Sequence, residues 1–398
     1  MHYKSIELFS GAGGLALGLT KAGFHHEVLI EQNPHACETL RSNQLSRSDS
    51  WEIAECDARI FDFKQFKVPI DLVAGGPPCQ PFSLGGKHKG VNDGRDMFPV
   101  AIKAVRELRP KAFVFENVKG LLRQSFEAYL RYVSLQLGSP DLVINVNEDW
   151  PDHLGRLVKH NRKLADFKHY TVSTELVNAA DYGVPQKRER LFIVGFQSDL
   201  NTEWVVPKPT HSEDALLWSK WVTGDYWEEH EIAKANRPLL CDSDHKRVQR
   251  LQDRHGFFGP TTTRWRTVRD AIANLPTNAP NHELRAGAKL YPGHTGSGID
   301  EPAKALKAGD HGVPGGENMI RYYDGSVRYF SVRESCRLQT FPDDYYVSGS
   351  WTEGMRQIGN AVPVRLATMI GRSIGEQLNA KTTKIAHNKL EFAPQLVG

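Results

Sequence analysis

The sequence predicts an α/β protein, a Rossmann-like domain on a mostly parallel sheet with a smaller, irregular second domain. Three observations predict it. Up to about residue 196, short apolar runs alternate with longer amphipathic segments, as strands alternate with helices. The first run opens straight into a glycine loop, Phe9-Ser-Gly-Ala-Gly-Gly14, as at a strand-to-helix turn. Beyond residue 200 the periodicity fades and Pro, Gly, Trp and Arg accumulate; four of the eight tryptophans fall between Trp204 and Trp227.

The predicted strands are Ile6 to Phe9, Val28 to Ile30, Trp51 to Ala54, Leu72 to Ala74, Ala112 to Phe115 and Leu191 to Gly195. Such sheets bind ligands beyond the carboxyl ends of their strands. Those ends carry the glycine loop, Glu31, Asp57, Pro78-Cys79-Gln80 and Glu116. Residues 1–196 therefore read as the catalytic domain and 197–330 as the second domain, with arginines clustered from Arg247 to Arg269. A hinge over 331–354 leads to a helical segment, 355–385, expected to return to the first domain, and 386–398 reads as a tail.

With 398 residues, 40% of them hydrophobic, the chain can bury two cores, which excludes a disordered protein. A net charge of +3 neither requires nor excludes a nucleic-acid partner. No cationic leader precedes the first strand, and no apolar run nears the roughly 20 residues that span a bilayer. The five cysteines (Cys37, Cys56, Cys79, Cys241, Cys336) are odd in number and lack CxxC spacing. They argue against a disulfide framework or a bound metal and for a reducing, cytoplasmic setting.

Glycines in the first loop let backbone N–H groups approach a cofactor, and Glu31 stands where an acid would bind ribose hydroxyls. The spacing Gly11-x-Gly13-x-x-Ala16 suits a dinucleotide equally well, and a tight turn without a ligand is the plainer alternative. Asp57 is placed to accept from an adenine amino group or to cap a helix. Cys79, in GGPPCQPFS, is more specific: two prolines at a strand end hold a thiol exposed and pointed, unlike an inert core cysteine. Glu116 follows the apolar Phe113-Val-Phe115, so partial desolvation would suit it to proton donation. A structural carboxylate accepting loop N–H bonds is the alternative.

The glycine loop, Cys79 and Glu116 fall within blocks that resemble the cytosine-5 DNA methyltransferases: FSGAGG (9–14), PPCQPFS (77–83), ENVKG (116–120), YGVPQKRER (182–190), RESCRLQTFPD (333–343) and QIGNAVP (357–363), in that family's order. The resemblance implies S-adenosyl-L-methionine as cofactor, double-stranded DNA as substrate, and residues 197–330 as the target-recognition domain. It implies Cys79 as nucleophile, with Glu116 and Arg190 as its catalytic partners at the cytosine and Arg188 facing phosphate or supporting groups. Phe9 would stack on the adenine, with Gly11, Ala12, Gly13 and Gly14 along the methionine part. Glu31 would hold the ribose, Asp57 the adenine, and Pro78, Asn360 and Val362 would complete the pocket. Gln80, Ser83, Gln186, Arg264 and Arg266 are the implied DNA contacts, Gln80 helping to hold the gap left by a flipped base. Arg333 and Glu334 are expected to bridge the domains.

The segment 139–169 is extra to the pattern; its basic GRLVKHNRK reads as a solvated helix face or a DNA-backbone contact. A nicotinamide oxidoreductase would explain the glycine loop and Glu31 but not PPCQ, ENV or QKRER. An RNA-directed relative usually carries a Cys-Phe-Thr element, which is absent here. A catalytically dead regulator should have lost Cys79, Glu116 or Arg190. The resemblance thus implies a monomeric prokaryotic or phage enzyme beside chromosomal DNA, solitary or paired with a separately acting restriction endonuclease.

Overall fold

The computed structural model describes residues 3–44, 51–78, 96–163, 169–292, 295–308 and 318–391. The chain forms two units: Met1–Leu176 with Arg190–Pro207 and Ala367–Gly398, and Val177–Glu189 with Lys208–Leu366.

The first unit is built on β1 (Tyr3–Leu8), α1 (Gly14–Lys21), β2 (Phe24–Glu31), α2 (Pro34–Ser42), β3 (Ile53–Glu55), β4 (Leu72–Gly75), α3 (Phe98–Leu108), β5 (Ala112–Val118), α4 (Glu127–Gly138), α5 (Trp150–Lys163), β6 (Tyr170–Asn178) and, after β7 (Gln186–Lys187), β8 (Glu189–Gln197). Seven strands form one sheet in the order β3-β2-β1-β4-β5-β8-β6. The β1–β2, β1–β4, β2–β3 and β4–β5 pairs are parallel, and β8 runs antiparallel to β5. The order reverses between β1 and β4, the switch point at which open α/β sheets bind ligands.

Central strands covered on both faces read as continuous apolar runs. Ile6, Leu8, Val73, Phe113 and Phe115 are fully buried in one core with Phe98 of α3. A buried polar stitch ties β1, β2 and α1: His26 Nδ1 lies 3.0 Å from Ser5 Oγ and its Nε2 3.0 Å from the Ala16 carbonyl. Each predicted strand is present, with ends shifted by a few residues. The edge strand β6 went unpredicted because most of its residues are only half-buried, which blurs the apolar signal.

The second unit holds β9 (His211–Ser212), α6 (Glu213–Trp221), α7 (Asp225–Glu229), α8 (Asp242–His255), β10 (Thr263–Arg264), α9 (Val268–Ile272), β11 (Ser297–Gly298), β12 (Ala303–Lys304), β13 (Met319–Arg321), β14 (Val327–Tyr329), α10 (Val332–Leu338) and α11 (Trp351–Asn360). α12 (Val364–Glu391) begins there and continues in the first unit. Its sheets are small, and its core is aromatic: Tyr226, Trp227 and Trp265 pack with Leu216. Asp300 is a polar hub, accepting twice from Arg269 and once from Tyr226, and bonded to Tyr323.

Two boundaries differ from those read off the sequence. Val177–Glu189 and the whole QIGNAVP block belong to the second unit, because Arg188 and Gln339 bond to the carbonyls of residues 358–361. Arg333 does not bridge units; it bonds to the Pro280, Pro342 and Tyr345 carbonyls, all in the second, where Arg328 also holds Glu334. Among the described residues no helix is long and apolar enough to cross a membrane.

Candidate active site

The glycine loop is shaped by left-handed backbone: Phe9, Gly11 and Gly13 have φ of 57°, 53° and 78°. Gly13 is the N-cap of α1 and has no side chain to cap it, and no acid lies in the first turn. The buried Glu7 carboxylate of β1 accepts from the third amide, Ala16 N, and the positive end of the helix dipole faces the glycine loop. Glu31, at the end of β2, accepts from Gly11 N at 2.8 Å through one oxygen and from Gln32 N and Asn33 N at 2.9 and 2.8 Å through the other. The carboxylate is thereby fixed beside the loop, with further lone pairs available. Asp57 caps no helix; its carboxylate receives Arg59 N and the Arg59 guanidinium, which hold its pKa below the usual range.

The loop after β4 is fastened by its carbonyls. Asn117 Nδ2 donates to Pro77 O at 3.1 Å, and Met97 N to Pro78 O at 3.3 Å. A Cβ placed on Gly76 would lie 3.4 Å from Glu116 Oε2, so this loop leaves the sheet right beside that carboxylate. Glu116 is 8% exposed, and Arg190 Nε meets its Oε1 at 2.6 Å. Burial lowers the Arg190 pKa, and the Glu116 charge opposes that shift. Cys79, Gln80 and Ser83 lie outside the described residues.

In the second unit three expected contacts are reassigned. Arg188 is fully buried and does not face phosphate: it donates to the carbonyls of Leu306, Gly359 and Ala361 at 3.0, 2.7 and 3.1 Å. Gln186 is likewise fully buried, its Oε1 receiving Leu306 N, and so is no surface DNA contact. Arg264 is taken up by Asp270 and Glu229 at 2.7 and 2.8 Å and lies over the Tyr226 ring. Arg266 stays exposed. Glu229, His230 and Asp270 have metal-ligand spacing, but Arg264 already supplies the cation bridging two of them.

Asn360 is exposed at the end of α11, while Val362 beyond it is buried. Arg188 and Gln339 hold the turn that carries Asn360, and a Cβ on Gly359 would come within 2.6 Å of the Lys307 and Ala308 backbone. Two positioning residues, Asn117 and Gln339, escaped notice in the sequence, although ENV and RLQTFPD contain them. Cys37 and Cys336 are buried, Cys241 is exposed, and these and Cys56 are free.

An open sheet whose strand ends carry a glycine loop, a fixed acid and a buried Glu–Arg pair defines a Rossmann-like methyltransferase architecture. A model of the C-5 cytosine-specific DNA methylase family matches residues 3–140 and 151–376, and the chain belongs to that family. It is 34% identical to Type II methyltransferase M.PspPI of a Psychrobacter strain, over 95% of this chain and 80% of that protein. It is 31% identical to Type II methyltransferase M.NgoMIV of Neisseria gonorrhoeae, over 94% and 97%. The fold is shared with the crystal structure of S. pombe Dnmt2 methyltransferase: TM-score 0.54, 16% identity, covering 95% of this chain and 99% of that one.

Proposed function

We propose that the chain methylates C5 of a flipped cytosine in a specific duplex DNA sequence, using S-adenosylmethionine and a transient covalent bond from Cys79. The observation that carries this reading is the Glu116–Arg190 pair beside the Pro77–Pro78 loop, from which Cys79 follows directly. The glycine-built start of α1 fits the methionine part of the cofactor, the fixed Glu31 fits a ribose diol, and half-exposed Phe9 fits an adenine ring.

Cytosine C5 is too weak a nucleophile to act unaided. Addition of the Cys79 thiolate to C6, with N3 taking a proton from Glu116, makes C5 enamine-like. Arg190 orients Glu116 and would contact the base's O2. Held by the glycine loop and Glu31, S-adenosylmethionine would supply an electrophilic methyl group to C5 and leave as the neutral thioether. Loss of the C5 proton to a base then expels Cys79 and restores the aromatic ring. The base must leave the stack first, at a cost of a few kcal/mol. Similarity to Type II methyltransferases favours a role beside a restriction endonuclease. Expression in a methylation-free host, followed by genome-wide mapping of methylcytosine, tests the reading: 5-methylcytosine at one recurrent sequence supports it, and none refutes it.

A further inference from the structure

Phe257 and Phe258 are 101% and 98% exposed in the turn after α8. Every other phenylalanine among the described residues is buried or half-buried. An apolar cluster of Leu217, Trp218 and Leu251 lies next to this turn, yet neither ring joins it. The residues on either side do. The His255 ring packs edge-on against Trp218 with centroids 6.3 Å apart, and a Cβ on Gly259 would come within 2.8 Å of the same indole.

The turn is therefore fastened at both ends. Gly256, at φ 55° and ψ −126°, takes a conformation open essentially to glycine alone, and its N–H donates to Gln252 O at 2.9 Å. Phe258 N donates to His255 O at 3.2 Å. A built turn holds two phenyl rings in water when burial was available alongside. The charge along α8 is also graded: Asp242 and Asp244 open it, whereas Lys246, Arg250 and Arg254 approach the turn, opposed by Asp253 and by Asp214, which lies 3.8 Å from Arg254. An apolar tip on a basic shank complements a duplex, with phosphates outside and bases within.

We propose that Phe257 and Phe258 form an apolar wedge that docks against the bases of the duplex substrate through a groove, with Lys246, Arg250 and Arg254 along the flanking phosphates. The proposal rests on duplex DNA being the substrate. Aromatic contact with bases is tolerant of sequence, so the wedge adds affinity and distortion rather than base choice.

The test compares the full-length protein with its Phe257→Ala/Phe258→Ala variant on a duplex bearing the mapped site. Duplex binding should weaken at least tenfold and the KM for DNA should rise more than kcat falls. The melting temperature and S-adenosylmethionine affinity should hold, and the dependence of log Kd on log salt should keep its slope, since no phosphate contact is lost. Phe257→Trp/Phe258→Trp should retain tight binding. Duplex affinity and KM within twofold of wild type would overturn the proposal. So would a variant altered only in self-association, which would assign the rings to a second copy of the chain. A wild-type protein that neither binds nor methylates duplex DNA would instead remove the substrate reading, and the wedge with it.

Discussion

Arg190 Nε stands 2.6 Å from Glu116 Oε1, an ion pair across β5 and β8 with both side chains almost wholly out of water. The antiparallel register puts Arg190 opposite Val118, so Glu116 is its diagonal neighbour on the same face. Replacing Arg190 with Ala leaves a buried carboxylate without its counter-charge, at a cost of about 3–5 kcal/mol. Urea unfolding should show that loss, and single-turnover methyl transfer should fall more than a hundredfold. Glu116→Gln, which keeps the shape, should lose turnover while binding S-adenosylmethionine nearly normally.

Asn117 ties two backbone groups: its Nδ2 donates to Pro77 O, and its Oδ1 accepts from Val118 N at 2.9 Å. Asn117→Ala frees the Pro77 carbonyl, with a stability loss of roughly 1–2 kcal/mol. Loosening the loop before Cys79 should lower kcat with little change in cofactor Kd by calorimetry. Equal losses in both would show a general unfolding rather than misplacement of the loop.

Arg264 and Arg266 are two residues apart and should behave oppositely. Arg266 is exposed, whereas Arg264 is bound by Asp270 and Glu229. If Arg266 contacts a phosphate, Arg266→Ala should reduce the salt slope of duplex binding by about 0.9. Arg264→Ala should leave that slope unchanged and instead lower the melting temperature. The reverse pattern would return the DNA contact to Arg264.

This pair also marks what was legible in the sequence. The glycine loop, Glu31 and Glu116 were readable because each sits at the end of a contiguous apolar run, where topology alone fixes its position. The fates of Gln186, Arg188 and Arg264 were not, since they depend on partners distant in the chain. Leu306, Gly359 and Ala361 consume the Arg188 guanidinium, and no local pattern announces them. A partial signal did exist for Arg264: Thr267 and Asp270 form a capping box, which places that carboxylate at a helix start near the arginine.

His26 should make stability depend on acid. Burial between Ser5 and Ala16 pushes its pKa down to about 4, from an ordinary value of 6.5. The unfolded chain therefore takes up a proton that the folded one refuses. The stabilisation is fully present above about pH 6.5 and is lost as pH falls towards 4, by an amount on the order of 3 kcal/mol. Urea titrations at pH 7.5 and 5 should show a wild-type loss that His26→Gln reduces. Buried His211, its pKa also near 4, adds a loss of the same sign. An unchanged loss in His26→Gln would refute the assignment.

The proposed reaction depends on attack by Cys79 on C6, and a fluorinated substrate isolates that step. Fluorine at C5 cannot leave as a cation, so a duplex with 5-fluorocytosine at the mapped site should stall after methyl transfer. A protein–DNA adduct should form that survives denaturing electrophoresis, requires S-adenosylmethionine, and maps by mass spectrometry to Cys79. Cys79→Ser, whose hydroxyl is a far poorer nucleophile, should abolish both adduct and turnover. Near-normal cytosine methylation by Cys79→Ser, or an adduct on another residue, would contradict it.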